Sequence, residues 1–260
     1  MKSRELFVLE EIKKEMATLV GHLGMYYKNL VTGFEYGVGE DESYGAASII
    51  KLPLFMHILK KSSEGVFAME DLLVTDKGDK VPSCGALNLF TGAVECDIRT
   101  LCRLMICISD NTATNRLIRL CGLEDIERGF AAMGLEKTRI RRLLFDAEAS
   151  AAGIQNSICP KEMGALLERV YRGEFINPKV SREVMDTLLM QQINHKLGGK
   201  LRKAEIAHKT GEDDELSNDV GIILGDNPFI LCFAGHDTDV YPWEDLIRRS
   251  AYALYETLSE

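Results

Sequence analysis

Three short runs of polar residues, Ser48-Ile49-Ile50-Lys51, Ser109-Asp110-Asn111 and Lys209-Thr210-Gly211, carry side chains able to do acyl chemistry. In the first run the two polar residues stand three apart, a spacing that shares one helical face and brings the Lys51 amine to the Ser48 hydroxyl. A serine at neutral pH is a poor nucleophile until a neighbour takes its proton, and a lysine shielded from water can take it. A helix starting near Ser48 also offers a free backbone N–H to an oxyanion. In the second run the Ser109 hydroxyl can relay a proton to a leaving group while the Asn111 amide holds a substrate carbonyl. In the third, a Lys209 cation and a Thr210 hydroxyl on a predicted strand suit a carboxylate or a developing oxyanion, and Gly211 permits close approach of a substrate. Each run also has a plain structural reading: Ser48 as a helix cap, Ser-Asp-Asn as the junction of two helices, Lys-Thr-Gly as a surface tripeptide.

Taken together, in this order and 61 and then 100 residues apart, the three runs resemble the signature of the class A β-lactamases and related penicillin-binding enzymes. The likeness extends to the order of elements at both chain ends. It implies that Ser48 is the acylated nucleophile, Lys51 a proton acceptor, Ser109 the relay to the leaving nitrogen and Asn111 a ligand of the substrate amide. Lys209 and Thr210, with Gly211 beside them, would bind the substrate carboxylate, and the backbone N–H groups of Ser48 and Glu212 would form the oxyanion hole. The implied reaction is hydrolysis of a β-lactam amide or related acyl substrate through an acyl-enzyme, without a cofactor. An esterase or D-amino-acid peptidase with the same nucleophile, and a covalent β-lactam sensor that deacylates slowly, are the alternatives.

Two departures from that pattern bear on the chemistry. Class A β-lactamases carry a loop glutamate, followed four residues later by asparagine, that positions the deacylating water. In residues 143–156 this spacing is absent: Asp146 and Glu148 are the only carboxylates and Asn156 the only asparagine. Asp146 and Glu148 are therefore the candidate deacylation bases, although most such residues face water or cap helices. The second departure is electrostatic. From Glu212 to Glu244 there are nine carboxylates and no Lys or Arg, in a segment expected to wall the cleft. Glu212 would repel an anion or neutralise Lys209, which points to a neutral or cationic substrate.

The elements that must position these residues follow from periodicity. Leu6, Leu9, Ile12, Met16 and Leu19 predict an amphipathic helix over 4–20, and a hairpin follows over 24–38 with Thr32-Gly33 at its turn. Apolar residues surround a predicted helix over 48–60, where Pro53 is tolerable only if the helix begins close to Ser48. Asp97 is expected to cap a buried helix that runs out at Ser109. Further helices are predicted over 112–121, 123–133, 160–171 and 181–192, strands over 206–210, 219–224 and 229–233, and a last helix over 243–258. This order predicts an α+β fold, one five-stranded antiparallel sheet drawn from both chain ends and flanked by helices, plus a mostly helical lobe. The resemblance adds a β-lactamase/transpeptidase-like arrangement: one unit over 1–260, with an α/β lobe of 1–45 and 193–260 and a helical lobe of 46–192.

Composition narrows the partners. A net charge of −9 argues against nucleic acid and anionic lipid, leaving a small molecule or peptide acyl substrate. Carboxylates interrupt the first apolar run and no later run is long enough to span a membrane, so with Met1 as the start the chain reads as cytoplasmic. Seven scattered cysteines read as buried thiols rather than a disulfide framework. Neither His-x-x-x-His nor Cys-x-x-Cys spacing occurs, so no metal is expected. His208 precedes Lys209 on a strand and should point to the opposite face, away from its neighbour's surroundings; His57 is expected in the core.

Overall fold

A computed structural model of the protein describes residues 2–259, with side chains described from Arg4 to Ser259. In chain order the helices and strands are α1 (Lys2–Met16), β1 (His22–Asn29), β2 (Glu35–Val38), β3 (Tyr44–Gly45), α2 (Lys51–Ser63), β4 (Leu72–Thr75), β5 (Val94–Asp97), α3 (Ile98–Cys107), α4 (Asn111–Cys121), α5 (Leu123–Ala132), α6 (Ala147–Ala151), β6 (Ser157–Ile158), α7 (Pro160–Tyr171), α8 (Pro178–Leu189), β7 (Ile206–Asp213), β8 (Leu216–Ile223), β9 (Phe229–His236) and α9 (Val240–Ser259). Five strands form one antiparallel sheet in the order β2-β1-β9-β8-β7, so the two chain ends meet at the β1–β9 pair and β7 is left as an edge.

Alternation along the central strands explains why the sheet is covered on both faces. Met25 and Tyr27 of β1, Phe229, Leu231 and Phe233 of β9, and Ile223 of β8 pack with Leu9, Ile12 and Met16 of α1 and with Trp243, Leu246, Ala251 and Leu254 of α9. Their neighbours Tyr26, Val220, Ile222, Ile230, Cys232 and Ala234 point the other way, into a larger core with α2, α3, α4, α5, α7 and α8. Each buried Leu, Ile or Met in these two cores would cost about 2–5 kcal/mol if cut back to alanine.

Differences from the expected elements have local causes. The first helix stops at Met16, and its buried stripe includes Glu5 in place of Leu6, because Tyr27 and Asn29 donate hydrogen bonds to the Glu5 carboxylate. The helix expected over 181–192 is α8, three residues earlier. Asn177 caps it by accepting from Val180 N at 2.9 Å, with Pro178 in the first turn. The short β4–β5 ladder and the β3–β6 pair carry too few residues to show a period. Among the described residues, no helix is long and apolar enough to cross a membrane.

Candidate active site

Ser48 is placed by the segment that leads into it. β3 pairs with β6, Ala46 N donates to the Asn156 carbonyl at 3.1 Å, and the buried Asn218 side chain of β8 donates to the carbonyls of Gly45 and Ala46 at 2.9 and 3.3 Å. The chain then turns through Ala47 at φ 39°, a left-handed conformation that costs a residue with a Cβ about 1–2 kcal/mol. Ser48 sits in a 3-10 turn, Ala47–Ile50, and α2 proper begins at Lys51, so the serine precedes the helix instead of starting it. Its hydroxyl makes no protein hydrogen bond among the described residues and the residue is half-buried, which leaves the capping reading without support. Gly211 lies against this turn: a Cβ there would stand 3.1 Å from the backbone nitrogens of Ser48 and Ile49. The glycine therefore lets the edge strand close on the serine's amide.

Lys51 is fully buried. Its amine reaches the Ser109 carbonyl at 2.8 Å, the Ser109 hydroxyl at 2.9 Å and Asn111 Oδ1 at 2.7 Å. Burial, and then the nearby Lys209 cation, hold its pKa well below the ordinary lysine value. In its neutral form this amine donates two hydrogens and keeps a lone pair for a proton, so at most two of the three oxygens accept from it at once. Ser109 owes its position to a left-handed backbone, φ 56°, between α3 and α4. Asp110 caps α4 through Ala113 N at 2.8 Å and also accepts from Ala86 N and Leu87 N at 2.7 and 2.9 Å, tying the 85–87 turn to the site. The junction reading of Ser-Asp-Asn thus holds for Asp110, while its two neighbours face Lys51. Asn111 also donates to the Pro82 carbonyl at 3.3 Å, leaving one amide hydrogen without an acceptor among the described residues.

Lys209 reaches the same serine from the sheet. Its amine donates to Ser109 Oγ at 3.2 Å and to the Thr210 carbonyl at 2.7 Å. Burial, then the charge of Lys196, lower its pKa to about 7. The Ser109 hydroxyl therefore stands between two buried amines, and when it accepts from both, its own proton is free for another acceptor.

Lys196, on the loop between α8 and β7, was not among the residues expected at the site. It is fully buried and contacts the Gly211 carbonyl at 3.2 Å, Ser217 Oγ at 3.1 Å and Glu212 Oε1 at 3.0 Å. Glu212 thus neutralises Lys196 directly, not Lys209 as the sequence order implied. It also meets His195 Nε2 at 3.3 Å, and His195 lies 3.6 Å from Glu244, whose hydrogen bond is the main cause of its raised pKa. His195, Glu212 and Glu244 form a group with metal-ligand side chains among the described residues, but the Lys196 amine is already paired with Glu212 there and opposes a divalent ion. A loop lysine with no periodic pattern around it leaves no sequence signal for such a role.

The other sequence candidates fall elsewhere. Asp146 caps α6 through Ala149 N at 2.9 Å, and Glu148 is exposed on that short helix. Asn156 is buried and accepts from Arg141 N and Arg142 N at 2.8 and 3.1 Å; four residues before it stands Ala152, which has no base to offer. His208 does point away from Lys209, to Asp219 Oδ1 at 2.9 Å and Asn194 Oδ1 at 2.8 Å; Asp219 also accepts from Leu197 N at 3.0 Å. This network secures the loop that delivers Lys196. His57 is buried beside Asp125 at 3.1 Å. Among the cysteines Cys84 is exposed, contrary to the expectation of buried thiols, and Cys96 and Cys121 are half-buried.

Comparison with known proteins bears on the family and the fold. A family model described as the beta-lactamase enzyme family matches residues 8–258. A beta-lactamase of Rhodobacter capsulatus is 25% identical over 240 residues, 88% of this chain and 80% of its own, and Beta-lactamase L2 of Stenotrophomonas maltophilia is 25% identical over 221 residues, 81% and 72%. Among solved structures, PBP-A superposes with a TM-score of 0.88 at 27% identity, covering 97% of this chain and 96% of that one. An acyl-enzyme complex of a PBP-A point mutant with penicillin G gives 0.87 at 25%, covering 100% and 97%. The beta-lactamase of Sphaerobacter thermophilus gives 0.86 at 24%, covering 97% of each, a likeness of fold.

Proposed function

The chain belongs to the beta-lactamase enzyme family, and on that premise we propose that it is a serine hydrolase whose Ser48 attacks the carbonyl of a β-lactam or related acyl compound. The observation that carries this reading is the meeting of both buried amines, Lys51 and Lys209, on the Ser109 hydroxyl, with Ser48, three residues before Lys51 in the chain, offering a hydroxyl that no described protein group engages. Neutral Lys51 takes the Ser48 proton as the oxygen bonds to the carbonyl carbon. The oxyanion is received by the backbone N–H groups of Ser48 and Glu212. When the C–N bond breaks, the electron pair goes to the leaving nitrogen with the Ser109 proton, and Lys51 returns a proton to Ser109. Asn111 offers its free amide hydrogen to the substrate, and Lys209 and Thr210 present a cation and a hydroxyl on the other side.

A specific feature favours a long-lived acyl-enzyme over rapid turnover. No glutamate stands four residues before Asn156, and the nearby carboxylates Asp146 and Glu148 cap or face water. Intact mass spectrometry after mixing with a penicillin or a reactive ester tests the reading. The expected result is an adduct that forms quickly, decays slowly and is abolished by Ser48→Ala. Absence of any adduct, or an adduct on the Ser48→Ala protein, refutes it.

A further inference from the structure

We infer that Glu212 is a specificity-determining residue: its carboxylate engages Lys196, the added cation on this wall, and stands where a substrate anion would approach, so the preferred acyl substrate carries an uncharged group or an amine there. This inference rests on the Ser48 acyl-enzyme reading. Thr210 and Glu212 are two apart on the edge strand β7 and project to the same side, so a group reaching the Thr210 hydroxyl meets the Glu212 side chain next.

The cation on that side is already committed. Lys196 has three hydrogens to donate, and Glu212, Ser217 and the Gly211 carbonyl supply three acceptors. Its side chain is sealed, whereas that of Glu212 is 46% exposed, so solvent and substrate meet the carboxylate and not the ammonium. His195 adds to the hold on Glu212 but is itself shared with Glu244. Beyond Glu212 the strand turn carries Asp213, Asp214 and Glu215, all exposed, and the segment to Glu244 supplies no Lys or Arg. An incoming carboxylate must therefore displace Glu212 from Lys196 or bind beside it, and like charges brought together are a strong means of rejecting a substrate.

Three nitrophenyl esters, matched except for a carboxylate, a carboxamide or an ammonium at the far end, provide the test. Acylation is read as nitrophenolate release together with the mass of the Ser48 adduct. The wild-type protein should favour the amide and ammonium esters over the carboxylate ester by at least about tenfold, and Glu212→Gln should remove most of that ratio. Lys196→Met, which deprives Glu212 of its counter-charge, should widen it. Because each ratio is taken within one protein, a partly folded variant preserves it. A wild-type preference for the carboxylate ester, or a ratio unmoved by Glu212→Gln, overturns the inference and leaves the Ser48 reading standing. Failure of all three esters to acylate overturns that reading and this inference with it.

Discussion

Lys209 sets up a test in which pH changes one charge at the site. Burial and Lys196 bring its pKa to about 7, against opposing contributions from Asp219, Cys84 and Glu212. If the ammonium form assists a substrate carboxylate, the specificity constant for the carboxylate ester should follow its protonation, because kcat/KM reports groups of the free enzyme. At a pKa of about 7 the charged fraction falls from about nine tenths at pH 6 to about one tenth at pH 8, roughly a tenfold loss. Deprotonation of Lys51 affects every ester alike, so the ratio of carboxylate to carboxamide ester isolates the Lys209 contribution. Stopped-flow release of nitrophenolate between pH 5.5 and 9, in steps of about half a unit, gives that ratio directly. The Lys209→Arg protein supplies the control, since a guanidinium stays charged throughout. It also retains His195, whose pKa is raised by its hydrogen bond to Glu244, so any contribution of that imidazole is common to both proteins. The expected outcome is a fall of about tenfold in the wild type and little or none in Lys209→Arg. A flat wild-type ratio, or an undiminished fall in the arginine variant, refutes the assignment of the charge to Lys209.

Three further outcomes are expected. The same lysine makes stability depend on pH: its folded pKa of about 7 lies below the unfolded value of 10.5, so the unfolded chain holds the extra proton between them and this group's contribution to stability falls as pH drops from 10.5 to 7. Urea midpoints at pH 7 and pH 9 should therefore differ less in Lys209→Met than in the wild type, and equal differences would count against a buried, depressed amine. Ala152→Glu, which restores a glutamate four residues before Asn156, should shorten the life of the Ser48 adduct by about a hundredfold if the missing spacing is what slows deacylation; time-resolved mass spectra showing an unchanged lifetime would place the block elsewhere. Asp110→Ala removes the acceptor of three backbone N–H groups and should cost about 4.5 kcal/mol or more in urea unfolding, at about 1.5–3 kcal/mol per bond to a charged group. A loss under about 1 kcal/mol would show that water replaces it.

Much of this architecture is written in local patterns. The sheet from both chain ends follows from period-two stretches near residues 24–38 and 206–233, and Asp97 caps its helix, Thr100 N donating at 2.6 Å, because a short carboxylate before an apolar helix has few better uses. The three polar runs are visible for the same reason: each packs its chemistry into three or four consecutive residues. What pattern could not show is Lys196. Nothing near it in sequence marks a buried amine, and its partners Gly211, Glu212 and Ser217 come from two strands further along the chain.

The kinds of groups present, the order of the elements that carry them and the absence of a glutamate four residues before Asn156 can all be read from the residues in order. Which charges meet depends on packing between distant segments. That packing sets Lys51 and Lys209 on one serine hydroxyl across 58 and 100 residues, and it gives Glu212 to Lys196. The charge state of a buried amine depends on the surfaces that exclude water from it and on neighbours within a few ångströms. Both are fixed by how α2, the α3–α4 junction, the edge strand β7 and the loop before it pack together, and not by any of these segments alone.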